Sequence, residues 1–417
     1  MVIKHLSLTG FRNYSRLELD LSAGTTIIYG DNAQGKTNLL ESIYYLATTR
    51  SPYSDSDQQI INWELNAPEE PIVVSRLVVI VEYQNESQKG SGVDTKTIEL
   101  RLIQERRNGS TTFRREAVID RKKVRLMDLL GHLRVVLFLP SDLELITGNP
   151  SARRRYMDIT LCQTDSIYCQ TLSGYNKILD QRNAALKSVA ETGRGREVIN
   201  ILSERLAQKA AEIFAKRAGF LSSLAKITAE VHYAQLTSSK EMSTLNYLPR
   251  FTPKTNGRGN QGQPTEMLEN AEWLLSNKDD RNLIAKRFEE ILQLTLERDI
   301  GAGNTGVGPH RDDWHFLVNG RSLAKFGSRG QQRTAMLALK IAEIQRIHQE
   351  TGETPVLLLD EVASELDGKR RQLLLLQISR SGQALVTTTD LEFFPDSFLE
   401  KCTTLHVKNG YIASSAT

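Results

Sequence analysis

The sequence predicts an α/β fold: a nucleotide-binding core, a β-rich sub-lobe beside it, and a helical segment inserted between the two halves of the core. Three observations carry that expectation. A glycine-led loop near the N-terminus follows a β-branched stretch and opens a helical one. An apolar run closed by two carboxylates lies near the C-terminus. Most of the chain stands between these landmarks, first as strand-like runs and then as long helical spacing.

The loop is Gly30-Asp31-Asn32-Ala33-Gln34-Gly35-Lys36-Thr37, which fits G-x-x-x-x-G-K-[ST]. Thr25–Tyr29 before it reads as a short strand, and Asn38–Leu46 after it as a helix with apolar residues about one turn apart. Gly30 and Gly35 free the backbone to point successive N–H groups inward. The helix N-terminus adds partial positive charge at the same place. Lys36 is expected to reach the β- and γ-phosphates of a nucleotide, and the Thr37 hydroxyl to bind Mg²⁺. The competing reading is a glycine turn carrying a solvated lysine.

Composition bounds the rest. The 417 residues suit two or three domains, and 40% hydrophobic with 25% charged residues suits a soluble globular protein. A formal charge of +3 does not by itself announce a nucleic-acid binder, so any basic surface must be local. Three cysteines, Cys162, Cys169 and Cys402, with no C-x-x-C pair, argue against a disulfide framework or a zinc site. The first residues alternate like a strand and lack a signal-peptide core, and no uncharged apolar run approaches a membrane span. A reducing, cytoplasmic setting is expected.

Along the chain, residues 2–8 and 16–21 alternate as half-buried strands, with a turn at Gly10–Tyr14. Arg12 on that turn is a candidate nucleotide contact, with a plain surface arginine as the alternative. Strands are predicted over 72–83, 97–103, 111–119 and 133–139, with a turn at Asp120–Lys123. Arg106, Arg107, Arg114, Arg115, Arg121, Lys122, Lys123 and Arg125 gather on these hairpins. Such a run is either a solvated face or a phosphate-binding one for DNA. Helical spacing runs over 152–235, where Phe220, Leu224, Ile227 and Val231 make a core stripe, and again over 266–298. Residues 249–265, rich in Gly, Pro and Asn, are expected to be a disordered insertion.

The acidic strand is Pro355–Leu359 closed by Asp360-Glu361. Asp360, delivered by the strand neighbouring that of the phosphate loop, is expected to hold Mg²⁺. Glu361 would orient and polarise the attacking water. A helix-capping acid pair is the plain alternative. Upstream, Ser328 is a natural N-cap for a helix in which Leu337, Ile341 and Ile344 share a face, and Gly330 permits close backbone approach. That helix start is a second anion site. Because one loop already cradles a triphosphate, a second reader makes most sense when supplied by another subunit. Asn409-Gly410 predicts a hairpin turn.

Taken together, the phosphate loop, Ser328-Arg329-Gly330-Gln331, the Leu357–Glu361 strand and Ser364-Glu365-Leu366-Asp367 resemble an ABC-type ATPase head of the kind found in SMC proteins. Phe11–Tyr14, the loop with Asn38, Gly148-Asn149-Pro150 with Arg153–Arg155, and Gly308-Pro309-His310-Arg311-Asp312-Asp313 are similar to the bacterial RecF family. The resemblance implies an ABC-type P-loop ATPase head with a β-rich sub-lobe and a helical arm. Its lobe would be residues 1–150 and 301–417, and its arm 151–300. It implies slow ATP hydrolysis with Mg²⁺ and an ATP-dependent homodimer in which Ser328, Gly330 and Gln331 act in trans. Asp367 falls in the family's D-loop. The family's partners are DNA at single-strand gaps, RecO and RecR, with roles in RecA loading, replication and the SOS response.

Thr389-Asp390 stands where transporter ATPases carry a histidine, so the γ-phosphate sensor is Thr389 or missing. By motif His310 and Arg311 are candidate ligands of nucleotide or DNA; the preferred reading is a structural or interfacial turn in which Asp312 or Asp313 pairs Arg311. An energy-coupling transporter subunit is disfavoured by the long helical insert. An ABC-headed nuclease would need more acidic metal ligands than the sequence offers. A chromosome organiser would need a coiled coil far longer than 151–300 can build at about 1.5 Å per residue.

Overall fold

The computed structural model describes residues 1–54, 56–65, 70–83, 94–107, 110–252 and 263–414. They form two compact units: Met1–Asp142 with Glu343–Thr417, and Leu143–Ala342.

The first unit holds two six-stranded sheets. One is antiparallel, in the order β2-β1-β4-β5-β6-β7, built from β1 (Val2–Phe11), β2 (Tyr14–Asp20), β4 (Ile72–Tyr83), β5 (Asp94–Arg107), β6 (Ser110–Ile119) and β7 (Lys122–Val124). The β6–β7 turn is tight, with Asp120 and Arg121 both at positive φ. The other sheet contains β3 (Gly24–Tyr29), β8 (Val135–Phe138), β12 (Val356–Asp360), β13 (Gln383–Thr388), β14 (Cys402–Lys408) and β15 (Tyr411–Ser414), in the order β15-β14-β3-β13-β12-β8. All its pairings are parallel except β14 with β15. Strands β12 and β13 are buried along their length, as a parallel sheet covered on both faces requires.

The phosphate-loop helix, Lys36–Thr48, packs against strands of both sheets. Ten of its thirteen residues are buried, so it is enclosed nearly all round, and the polar Lys36, Glu41, Ser42 and Thr48 are among them. Leu39, Leu40, Ile43 and Leu46 join Leu6, Leu8, Leu77 and Leu100 of the antiparallel sheet and Leu358 and Leu385 of the parallel one in a single core. Each such side chain contributes about 1.5–3 kcal/mol on burial.

The second unit is mainly helical: Pro150–Thr164, Ser166–Thr192, Arg196–Glu230, Gln263–Ser276, Arg281–Leu294 and Leu296–Ala302, then most of Arg329–Thr351. Asp165 caps the second helix by accepting from the Tyr168 N–H at 2.9 Å. The stripe Phe220, Leu224, Ile227 and Val231 is buried. A three-stranded sheet, β11-β10-β9 (Arg321–Ser322, Asp313–Val318, Ser243–Leu248), accompanies the helices. Its register, with Trp314 opposite Tyr247, joins segments too far apart in sequence for local patterning to reveal.

Of the stretch 249–265, residues 253–262 lie outside the described residues. Its flanks are ordered structure. Phe251 is fully buried among Phe214, Phe288 and Trp273, at ring distances of 5.1, 5.6 and 5.7 Å, and a helix begins at Gln263.

Candidate nucleotide site

Strand β3 ends in the loop. Gly30 sits at φ +148, and a Cβ there would lie 2.4 Å from the Val407 carbonyl oxygen. Gly35, the N-cap of the helix, sits at φ +113, and a Cβ would lie 2.5 Å from Asn13 Nδ2. No other residue fits either place. Ala33 also has positive φ. The tip Asp31-Asn32-Ala33 is exposed, while the flanks are clasped. Asn13 Nδ2 donates to the Gln34 carbonyl at 3.0 Å, Asn38 Nδ2 donates to Asn13 Oδ1 at 2.8 Å, and the Tyr14 hydroxyl donates to the Gly35 carbonyl at 3.0 Å. From the C-terminal hairpin, the Asn409 N–H donates to Gln34 Oε1 at 2.6 Å and the Gly410 N–H to the Gln34 carbonyl at 3.0 Å.

Lys36 is buried at 3% exposure. Its ammonium donates to the Gly30 and Asp31 carbonyls at 2.8 and 2.9 Å and lies 3.4 Å from Glu361 Oε1. Glu361 follows β12 in the left-handed region at φ +53, and its N–H donates to Thr387 Oγ1 at 3.1 Å. That turn aims the carboxylate back at the loop.

Asp360 is the meeting point of three hydroxyls. Thr37 Oγ1 lies 2.9 and 3.1 Å from its two oxygens, Thr387 donates to Oδ1 at 2.7 Å, and Tyr53 donates to Oδ2 at 2.6 Å. The expected strand order needs correction: β13 lies between β3 and β12, so Asp360 is not on the strand next to the loop. The loop and the start of its helix reach across β13 and still bring Thr37 to the carboxylate. A hydroxyl and a carboxylate are the hard oxygen donors that Mg²⁺ takes, with phosphate oxygens and water completing the shell. Among the described residues there is no group of three or more His, Cys, Asp or Glu side chains placed to hold a metal by themselves.

Sequence pattern does not single out Tyr53 or Thr387 for the site, and Asn13 enters only as part of the Phe11–Tyr14 motif. Thr387 stands next to last in the apolar strand β13, and that is the available signal. Thr389, the expected sensor, is exposed just beyond β13, whereas Thr387 faces Asp360.

Arg12 is committed elsewhere than expected. Its Nε and one terminal nitrogen donate to the two oxygens of Glu41 at 2.8 and 2.7 Å, and the other to the Gln59 carbonyl at 3.0 Å. Glu41 is 1% exposed and lies on the loop helix, so a bidentate pair fills the guanidinium fork and braces the β1–β2 turn to that helix.

In the second unit, Ser328 Oγ accepts from the Gln331 N–H at 3.2 Å, while the Ser328 N–H donates to Gln331 Oε1 at 3.0 Å. This reciprocal capping box opens the helix Arg329–Thr351. Ser328 and Arg329 are exposed and Gly330 is half-buried. In the first unit, Asp367 caps Gly368–Arg380 by accepting from the Arg370 N–H at 3.1 Å.

The Gly308–Asp313 segment corrects one expectation. Arg311 is exposed and donates to Asn304 Oδ1 at 3.3 Å. Asp312 pairs instead with the buried Arg217 at 2.8 Å and accepts from the Tyr247 hydroxyl at 2.6 Å and the Arg250 N–H at 2.8 Å. Asp313 pairs with Arg153 at 2.6 and 3.0 Å. His310 Nε2 faces the Thr305 carbonyl at 3.1 Å, so it carries the proton, and Nδ1 accepts from the Tyr175 hydroxyl at 2.7 Å.

On the antiparallel sheet many of the basic side chains meet acids. Arg114 pairs with Glu105 and Glu116, Lys123 with Glu116, Arg125 with Asp128, and Arg115 with Asp57. Arg107, Arg121 and Lys122 are exposed at strand ends. Among the described residues no helix is long and apolar enough to cross a membrane.

A lysine- and threonine-bearing loop between strand and helix, facing an acid-ended strand of the same parallel sheet, defines a P-loop ATPase core of the ABC and SMC type. The model of the RecF/RecN/SMC N-terminal domain matches residues 2–412. The chain is 35% identical over its full length, and the full length of the relative, to a DNA replication and repair protein RecF from Exiguobacterium sp.. It is 37% identical to one from Chloroflexus aurantiacus, covering 99% of both. A solved structure of "the recombination mediator protein RecF-ATPrS in RecFOR pathway" superimposes with a TM-score of 0.79 at 29% identity, covering 100% of this chain and 98% of that one. A second, of RecF-ATP, gives 0.78 at 29% identity, covering 99% and 97%. The chain belongs to the RecF family of DNA replication and repair proteins.

Proposed function

We propose that this protein is an ATP-driven dimer that binds DNA at single-strand gaps and, with RecO and RecR, helps RecA assemble there, supporting replication and the SOS response. The observation that carries the ATPase part is the convergence of Lys36, Thr37, Asp360 and Glu361 at the C-terminal ends of strands β3 and β12 of the parallel sheet. Residues 30–38 hold the triphosphate: inward N–H groups and the helix N-terminus take its charge, and Lys36 exchanges the loop carbonyls for β- and γ-phosphate oxygens. Thr37 and Asp360 hold Mg²⁺, which when bound neutralises phosphate charge during transfer. Glu361 accepts a proton from the attacking water and aligns it. Arg12 secures the loop helix through Glu41. Residues 1–142 and 343–417 act as the ATPase lobe; 143–150 and 301–342, expected in that lobe, group with the arm residues 151–300 in the second compact unit.

The exposed, capped start of the Arg329–Thr351 helix, with Ser328, Gly330 and Gln331, reads the γ-phosphate of a second copy, and Asp367 lies at the same junction. DNA binds the closed pair, with Arg107, Arg121 and Lys122 of the sub-lobe as candidate phosphate contacts. Hydrolysis is weak and reopens the pair. Glu361→Gln is expected to bind ATP, hydrolyse it more than about a hundredfold more slowly, and accumulate as dimer in sedimentation. Ser328→Arg is expected to bind ATP and stay monomeric. A Glu361→Gln protein that remains monomeric in saturating ATP, or a Ser328→Arg protein that still pairs, would overturn the trans arrangement.

A further inference from the structure

The longest arm helix, Arg196–Glu230, runs directly into a π-helical turn, Val231–Leu236. The chain then folds back through Ser238 and Ser239, both at positive φ, with the Ser239 N–H donating to the Tyr233 carbonyl at 2.8 Å. This path delivers Glu241 to the start of the Arg329–Thr351 helix. Glu241 Oε1 accepts from Gln331 Nε2 at 2.8 Å. Gln331 is the residue whose backbone and side chain close the capping box on Ser328.

The second oxygen of the same carboxylate has another neighbour. Glu241 Oε2 lies 4.0 Å from His232 Nε2, inside the π-turn. His232 is fully buried, 6.0 Å from the Phe316 ring; neither ring nitrogen makes a well-formed hydrogen bond among the described residues, and the Glu241 backbone faces it as well as the carboxylate. A buried imidazole without a well-formed bond is costly, and a shift of about 1 Å would let its N–H reach the carboxylate. Glu241 is therefore offered two donors, Gln331 at the start of the Arg329–Thr351 helix and His232 in the π-helical turn. Only the first bond is made here. π-Helical turns are rare and occur frequently at functional sites.

We infer that Glu241 is a positioning residue: it ties the last turn of the arm to the capping box at Ser328 and Gln331, and its transfer from Gln331 to His232 loosens that helix start. This inference rests on the proposed reading of Ser328 as the γ-phosphate reader of a second copy. Under that reading the state of the arm sets how strongly ATP pairs two copies. Glu241 touches neither nucleotide nor water and acts through Gln331.

The test uses the full chain in two arms. In nucleotide-free protein, amide hydrogen exchange is followed at 231–241 and 328–333. With ATP and Mg²⁺, pairing is measured by sedimentation. Glu241→Ala is expected to raise exchange in both segments and weaken ATP-dependent pairing about tenfold, with ATP affinity of the single copy unchanged. Glu241→Gln keeps an acceptor for Gln331 and is expected to restore both readouts to within about threefold. His232→Phe removes the competing donor and is expected to lower exchange at 328–333. Wild-type exchange at both segments in Glu241→Ala would overturn the inference, as would failure of Glu241→Gln to recover. Wild-type protein that never pairs with ATP would instead overturn the dimer reading, and the exchange arm would still decide the role of Glu241.

Discussion

The phosphate loop and the Gly308–Asp313 turn are both glycine-led polar runs, and the molecule treats them in opposite ways. In the loop, the buried Lys36 ammonium is held by carbonyls of its own loop, within six residues, and the tip is exposed. Those bonds can be exchanged for phosphate oxygens without disturbing anything else. In the turn, Asp312 and Asp313 are held by Arg217, Tyr247 and Arg153, which come from distant helices and a strand. Every change there is felt across the second unit. The difference lies in the charged group itself: the Lys36 ammonium is held by carbonyls of its own loop that phosphate oxygens can replace, although Gln34 and Thr37 beside it have remote partners, whereas both carboxylates of the turn are tied to remote side chains.

The sharpest way to break this contrast is Asp312→Ala. It leaves the buried Arg217 with Asp158 as its remaining carboxylate and takes the acceptor from the Tyr247 hydroxyl and the Arg250 N–H, and is expected to cost about 3–5 kcal/mol of stability in denaturant unfolding. ATP binding by the molecules that remain folded should match wild type. An Asp312→Ala protein of normal stability that loses ATP binding would reverse the assignment of the two segments.

A somewhat smaller effect is expected from pH. Burial lowers the His310 imidazole from 6.5 to about 4. Between these values the unfolded chain gains a proton that the folded chain refuses. The contribution of His310 is therefore complete above about pH 6.5 and falls as the pH drops to about 4, by about 3 kcal/mol in all. Asp313 acts at lower pH. Although burial pushes its carboxyl up, hydrogen bonds from His315 and Arg153 hold it at about 2, so its contribution is lost between about pH 4 and 2. Stability measured between pH 7.5 and 4.5 should fall less steeply in His310→Gln than in wild type; parallel curves would show that this histidine is not the titrating group.

The smallest expected effect is at the nucleotide site. Tyr53→Phe removes one of three hydroxyls from Asp360 and is expected to weaken Mg²⁺-dependent ATP binding about fivefold, or about 1 kcal/mol. Titration calorimetry showing a hundredfold loss would mean that Tyr53 meets the nucleotide itself.

The contrast also explains what could be seen in the sequence. The loop was legible because its chemistry is local: a strand, two glycines and a helix within one stretch of chain, with Lys36 and Thr37 at fixed offsets. The reciprocal bonds of Ser328 and Gln331 are local too. Asp360 and Glu361 could be read as an acid-ended strand, but not the insertion of β13 beside it, since strand order is set by packing of remote segments. The site contacts of Asn13, Tyr53 and Thr387 were hidden for the same reason: each side chain meets the site through tertiary register, and a single asparagine, tyrosine or threonine carries no periodic signal. Pairing Arg311 with its sequence neighbours failed because charge neighbours in sequence are not neighbours in a folded helical unit. The small sheet β9–β11 pairs Ser243–Leu248 with Asp313–Val318, segments remote in sequence, so no local pattern reveals it.

One clasp described above bears on how this protein is made. Gln34 is gripped by Asn409 and Gly410, and the path of Gly30 runs against Val407. A chain still emerging from the ribosome has its phosphate loop early but not the hairpin that finishes it. The loop gains those two bonds only once residues 407–410 have been made, so its final order is reached long after its own residues.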